Sequence, residues 1–284
     1  MPTRLYLILA LALFSVSTTS LVIRYLAAVP AVVMAFWRMF TASGLLWGYS
    51  ALKPTGRLSN KNRFHIILAG LFLGGHFACF FSGVRLTTIA NATLLGNVAP
   101  VFTALLERLH GQAWNRATVL GLILSLAGAV IIQGGGLTNP ENTAGNGLAL
   151  LSSLFMALAW IQAKTIRKNT HTVVYSRHLF LIAAGTILFV VFLAGYSPFD
   201  FERQHLPWFL FLGLVPSVLG HNLLNYAVRF ISSTAVASVV LGEPILASFF
   251  GLILFQEAMP PASLIGGPMI LIGLYYILSN QSPD

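Results

Sequence analysis

The stretch Ala237–Leu278, ASVVLGEPILASFFGLILFQEAMPPASLIGGPMILIGLYYIL, decides the fold. It holds two apolar runs, each close to the roughly 20 residues that cross a bilayer core about 30 Å thick, separated by a short polar gap. Inside the first run a carboxylate, Glu243, stands directly before Pro244. An acidic side chain at the centre of a spanning helix costs about 2.5–3.5 kcal/mol on insertion scales, so Glu243 is expected to face protein or water rather than lipid. Pro244 removes a helical hydrogen bond and leaves the carbonyl of Val240 without its usual donor, which suits a bend beside a cavity.

The rest of the chain has the same character. Of its 284 residues 57% are hydrophobic and 8% charged, against about 25% charged in a soluble domain. Ten apolar runs lie near 5–25, 31–52, 64–86, 88–108, 115–133, 147–166, 172–194, 207–229, 232–255 and 261–279, in one membrane domain. Arg4 before LYLILALALF, with the small residues SVSTTS behind it, also fits a secretory signal peptide, but removing that helix would spoil the repeat described below. The net charge of +9 does not indicate nucleic acid, because Lys and Arg occupy short gaps rather than one face. With ten spans, one side collects Arg4, Lys53, Arg57, Lys61, Arg63, Arg108, Arg116, Lys164, Arg167, Lys168 and Arg229, and the other Arg24, Arg85 and Arg203. The positive-inside rule then makes both termini cytoplasmic. The single cysteine, Cys79, excludes a disulfide framework and a Cys-based metal cluster.

Internal repetition organises these runs. Val84-Arg85 and Pro100 match Val228-Arg229 and Pro244 at an offset of 144, and Gly121 and Gly128 match Gly266 and Gly273 at 145. Five helices written twice place the copies in opposite orientation. The expected fold is an all-α integral membrane protein of ten transmembrane helices, built as two inverted five-helix repeats over residues 1–136 and 137–284. Such repeats favour alternating access to a site at the midplane.

The residues resemble the drug/metabolite transporter superfamily, EamA type, over nearly the whole chain. The resemblance rests on ATLLGNVAPVFTALLERL (Ala92–Leu109) followed by GLILSLAGAVII, on Ala237–Leu278, on Arg38 in FWRMF, and on ALAWIQAKTIRK (Ala157–Lys168). It implies movement of small metabolites, often outward, in a bacterial inner membrane. The family places a Glu about thirteen residues after the repeat proline. Glu257 fits after Pro244, but Ala113 stands at that place after Pro100, so Glu107 is judged on its own surroundings: beside Arg108, it reads as a solvated or paired interfacial residue.

Candidate site residues follow from depth and spacing. Glu243 is a proton- or cation-binding carboxylate, or else a packing carboxylate bonded to an Arg or His. Gly213, Ser217, His221, Asn225 and Arg229 recur at intervals of four on one helical stripe, which lines a hydrophilic cavity or hydrogen-bonds across a helix contact. Thr93, Asn97, Pro100, Ala104 and Glu107 share a second sector, with Asn97 its best cavity candidate. His76 and His221 are two midplane imidazoles, and Arg38 and Arg177 two arginines at similar depth from opposite faces that snorkel, pair with carbonyls or an acid, or attract an anion. The expected substrate-binding set is therefore Arg38, His76, Asn97, His221, Asn225 and Glu243, with Glu243 and His221 coupling and Pro100 and Pro244 as hinges. Trp37, Trp160 and Tyr226 form aromatic walls or packing. Gly70 and Gly74, and Gly121 with Ser125 and Ala129, are read as close helix contacts.

Nothing points to catalysis. HExxH and GxSxG are absent, and Gly134–Gly136 lack a Walker lysine, so neither an intramembrane enzyme nor nucleotide hydrolysis is expected. A receptor or scaffold has no need of two exchangeable packings. The expectation is a secondary transporter for a small metabolite, an amino acid or similar polar solute, exporting and coupled to protons, without cofactor or metal. An uptake permease for an anionic metabolite is the rival, because Arg38, Arg177 and two histidines outnumber one central Glu.

Overall fold

The computed structural model describes residues 3–133, 137–256 and 261–281. Gly134–Gly136 and Glu257 lie outside the described residues. Helices dominate: α1 (Thr3–Tyr25), α2 (Ala31–Leu52), α3 (Arg63–Leu86), α4 (Ile89–Gly96), α5 (Ala99–Leu109), α6 (Arg116–Gln133), α7 (Thr143–Arg167), α8 (Thr172–Leu193), α9 (Leu206–Leu212), α10 (Asn222–Ala227), α11 (Ser233–Ser238), α12 (Glu243–Phe255) and α13 (Ser263–Ser279). Among the described residues nine helical segments are long and apolar enough to cross a membrane. This is one fewer than expected from the sequence, because the apolar helix Ser263–Ser279 has only 17 residues, at the short end of spanning lengths.

Among the described residues three segments are interrupted, each beside a proline. Asn97 and Val98 separate α4 from α5, with Pro100 in the first turn of α5. A 3₁₀ turn, Val239–Gly242, joins α11 to α12 immediately before Glu243-Pro244. Between α9 and α10 the chain widens into a π-helical turn, Gly213–His221, containing Pro216. Pro216 has no N–H for the Leu212 carbonyl, and the Ser217 hydroxyl donates to that oxygen instead at 2.9 Å. The two interrupted spans that bear Pro100 and Pro244 also start alike. Thr88 Oγ1 accepts the Asn91 amide, and Ser232 Oγ accepts the Ala235 amide, both at 3.1 Å.

Packing is set by small residues where helices cross. Helix α3 lies against α7 and α8, α2 against α8, α1 against the π-helical turn and α12, and α6 against α13. A Cβ added at Gly70 or Gly74 would lie 2.5 Å from Ile182 or Thr186 of α8, so these glycines bring α3 onto α8. The α6–α13 crossing is reciprocal: a Cβ at Gly121 or Gly273 would meet the other's carbonyl at 2.5 Å, and so would one at Gly128 or Gly266. Large apolar side chains such as Phe189, Leu264 and Leu271 are exposed around the outside, as a lipid-facing surface requires.

Candidate functional site

The proline-interrupted helices meet α1, α2, α3 and α7 around an internal cavity of about 60 Å³. Arg38, His76, Asn97, His221 and Glu243 all line it, each within a helical segment and drawn from both halves of the chain.

Glu243 begins α12, immediately after the 3₁₀ turn. Asn97, at the break between α4 and α5, sends its amide nitrogen to the Glu243 carboxylate at 2.9 Å and to the Val240 carbonyl at 3.2 Å. Val240 is the residue whose carbonyl Pro244 deprives of a helical donor, and the Glu243 amide also turns onto it within the 3₁₀ turn. One side chain thus gives the Val240 carbonyl a second donor and orients a buried carboxylate, across 146 residues of sequence. The chain breaks coincide with the two prolines expected as hinges.

Arg38 is 1% exposed and does not spend its recorded donors on Glu243. Its Nε donates to Ser217 Oγ at 2.9 Å, Nη2 reaches toward the Pro216 carbonyl at 3.5 Å, and the guanidinium lies 4.4 Å from the Phe77 ring centroid. The hydroxyl is available because the π-helical turn aims Ser217 inward, and a cation over an aromatic face is stabilised by the ring quadrupole. His76 bonds the Ser152 carbonyl through Nδ1 at 3.0 Å and stacks on Phe80. His221 meets Phe77 edge to face at 5.4 Å. The cavity therefore holds a cation, a carboxylate and two imidazoles against an aromatic wall.

Other candidates go elsewhere. Asn225 is buried, but its side-chain amide donates to Ser176 of α8 at 3.0 Å, so it faces α8 rather than the cavity holding Glu243, and its backbone carbonyl accepts from Arg167. The stripe of the eighth span divides: Gly213 abuts Thr41, Ser217 holds Arg38, His221 reaches the cavity, Asn225 bonds α8, and Arg229 is exposed. Arg177 stacks on Trp47 at 4.2 Å and donates to the Gly56 carbonyl, which ties α8 to the loop after α2. Trp37 donates to the Pro198 carbonyl within an aromatic cluster, whereas Trp160 lines the cavity. Glu107 is buried, and its partners are not Arg108. Its carboxylate accepts from the Ser233 amide at 2.8 Å, the Thr234 amide at 3.4 Å and the Thr234 hydroxyl at 2.6 Å, closing the start of α11. A carboxylate there offsets the positive end of a helix and its unpaired amides.

Several cavity residues were not singled out from the sequence, among them Phe77, Phe80 and Thr19. Phe77 and Phe80 follow His76 in the apolar GHFACFF, where nothing marks them out from other lipid-compatible residues, and Thr19 sits in the SVSTTS stretch that resembles a processing site.

With this geometry in hand, the similarities to known proteins are informative. The EamA-like transporter family model matches residues 3–134 and 143–279. The chain is 28% identical over 261 residues to an uncharacterized transporter of Archaeoglobus fulgidus, covering 87% of this chain and 88% of that protein. It is 24% identical to the pseudopaline exporter CntI of Pseudomonas aeruginosa, covering 94% and 93%. It is 26% identical to the uncharacterized transporter YdfC of Bacillus subtilis, covering 86% and 80%. A solved crystal structure superposes with a TM-score of 0.82 at 18% identity, covering 97% of this chain and 96% of the other, which establishes the shared fold. The chain is thus a membrane protein with a small-molecule substrate, and it belongs to the EamA-like transporter family.

Proposed function

We propose that this protein is a secondary active transporter that moves a small polar metabolite, of the amino-acid class, across the bacterial inner membrane by alternating access. The observation that carries the reading is the convergence of Arg38, His76, Asn97, His221 and Glu243 on one internal cavity beside two interrupted helices. Irregular backbone at membrane depth is tolerated where it lines a cavity, and discontinuous helices in corresponding places of two halves mark transporter sites. A cation and a carboxylate in one cavity suit a zwitterion, and Glu243 with His221 provides proton-exchanging groups.

The ten-span inverted repeat belongs to the same proposal. It is supported by the matched caps at Thr88 and Ser232, by the corresponding breaks before Pro100 and Pro244, and by the reciprocal crossing of α6 and α13. Exchanging Gly121 with Gly266 and Gly128 with Gly273 maps that crossing onto itself, as a twofold axis in the membrane plane would. The contacts of α3 with α7 and of α1 with the π-helical turn exchange likewise. On this reading α13 spans, residues 1–136 and 137–284 are the two repeats, and both termini are cytoplasmic. Export is the direction we favour, supported by the resemblance to an exporter over 94% of the chain. Uptake of an anionic metabolite is the second reading, favoured by the burial of Arg38 without an acid on its recorded donors.

Counterflow of labelled amino acids in proteoliposomes, against empty liposomes, tests the proposal. Saturable exchange by the wild type is expected. Exchange of carboxylic acids alone would select the second reading. Absence of exchange of either class by folded, inserted protein would overturn both.

A further inference from the structure

The hydroxyl-rich stretch of α1, Ser15–Ser20, holds five hydroxyl side chains and enters none of the interactions above. Four of them bond back one turn within the helix: Ser15 to the Leu11 carbonyl at 2.8 Å, Ser17 to Leu13 at 2.8 Å, Thr18 to Ser15 at 2.7 Å and Ser20 to Ser17 at 3.3 Å. Thr19 does not. It is 7% exposed, and its buried Oγ1 has no hydrogen-bond partner among the described residues. A helical threonine has a carbonyl three or four residues back within reach, so an unpaired hydroxyl reflects a rotamer that points elsewhere. Thr19 lines the same cavity as Arg38, His221 and Glu243. A buried hydroxyl without a partner is unfavourable and is expected to find one in another state of the protein.

We propose that Thr19 is a substrate-binding residue, whose hydroxyl donates to the carboxylate of the transported zwitterion alongside Arg38. A carboxylate offers about four acceptor positions, and Arg38 has already committed Nε to Ser217, so a further donor from α1 on the same cavity completes the site. The inference rests on the transporter reading, and it narrows the substrate to a solute whose carboxylate takes both a charged and a neutral donor. Val16, one turn earlier, packs on Gly220 of the π-helical turn, so α1 holds Thr19 beside the segment that carries Ser217 and His221.

Two measurements separate this inference from the transport proposal. The first needs no transported solute: Thr19→Cys in a Cys79→Ser background is treated in proteoliposomes with a small methanethiosulfonate ethylammonium reagent. Labelling is expected, since the position must meet water when the cavity opens. An unlabelled, folded protein would overturn the inference whether or not the wild type exchanges anything. The second is counterflow of a tritiated mixture of the proteinogenic amino acids, followed by half-saturation measurements for the species exchanged. Thr19→Val is expected to raise the half-saturation concentration about tenfold, equivalent to one ordinary hydrogen bond, and Thr19→Ser to stay within about threefold. Melting temperature in the absence of solute should be unchanged or higher for Thr19→Val, because the valine replaces an unpaired group. Wild-type half-saturation in Thr19→Val, or a lower melting temperature with Ser restoring it, would assign the hydroxyl a purely structural role and overturn the inference.

Discussion

Replacing Glu107 with alanine removes the carboxylate that closes the start of α11. The loss has three parts. Three donors, the Ser233 and Thr234 amides and the Thr234 hydroxyl, lose their acceptor. Loss of a helix cap costs about 1 kcal/mol, and loss of negative charge from the helix start about 0.3–1 kcal/mol. The hydroxyl bond, made to a charged acceptor at 2.6 Å, is worth about 1.5–3 kcal/mol when broken. A polar cavity beside Glu107 and Thr234 lets water recover part of this, which brings the expected total to about 2–4 kcal/mol. At about 2 °C per kcal/mol for a chain of this size, Glu107→Ala should melt about 4–8 °C below the wild type in detergent. Glu107→Gln keeps one oxygen acceptor and should lose about half as much. Arg108→Ala is the informative control. Arg108 is exposed and none of the recorded partners of Glu107 is an arginine, so its removal should change the melting temperature by less than about 1 °C. Equal losses in Glu107→Ala and Arg108→Ala would refute the capping argument and restore the interfacial pair expected from sequence.

Further outcomes follow from the same geometry. Glu243→Gln should abolish the dependence of flux on a pH gradient while leaving a folded protein, since Asn97 still has an oxygen acceptor there; normal pH-dependent flux would remove Glu243 from coupling. Asn97→Leu should lower stability by about 2–3 kcal/mol, because it leaves both the Val240 carbonyl and the Glu243 carboxylate without that donor; unchanged thermal melting would show that the amide bridge contributes nothing. Gly121→Ala sets a Cβ 2.5 Å from the Gly273 carbonyl and should cost about 1–3 kcal/mol, whereas Gly48→Ala, with open space at that position, should be neutral in the same melting assay. A C-terminal alkaline phosphatase fusion should be inactive if the terminus is cytoplasmic, and an active fusion would reverse the orientation drawn from the positive-inside rule.

Local rules carried much of the reading. Apolar run length is a direct record of solvent, so the helical segments appear where composition places them, including α2 at Ala31–Leu52 within the limits drawn from sequence. The backbone damage done by Pro244 was also legible, because proline deletes a defined donor and orphans a defined carbonyl. The π-helical turn was not legible: Pro216 signals a defect, but a kink and a widened turn both answer it, and the choice depends on the Ser217 hydroxyl reaching Leu212.

What the sequence determined by itself is the membrane setting, the all-helical class, the repeated prolines and the presence of Arg38, His76, Asn97, His221 and Glu243 within apolar runs. These depend on composition and on hydrogen-bonding rules that act within one turn of helix. Partner choice was decided only in the tertiary structure. Asn97 found Glu243, Glu107 found the start of α11 rather than Arg108, Asn225 turned to α8, and Thr19 reached the cavity. A buried polar group takes whichever donor or acceptor packing brings to about 3 Å, and periodicity gives the face a residue occupies without giving what stands opposite it.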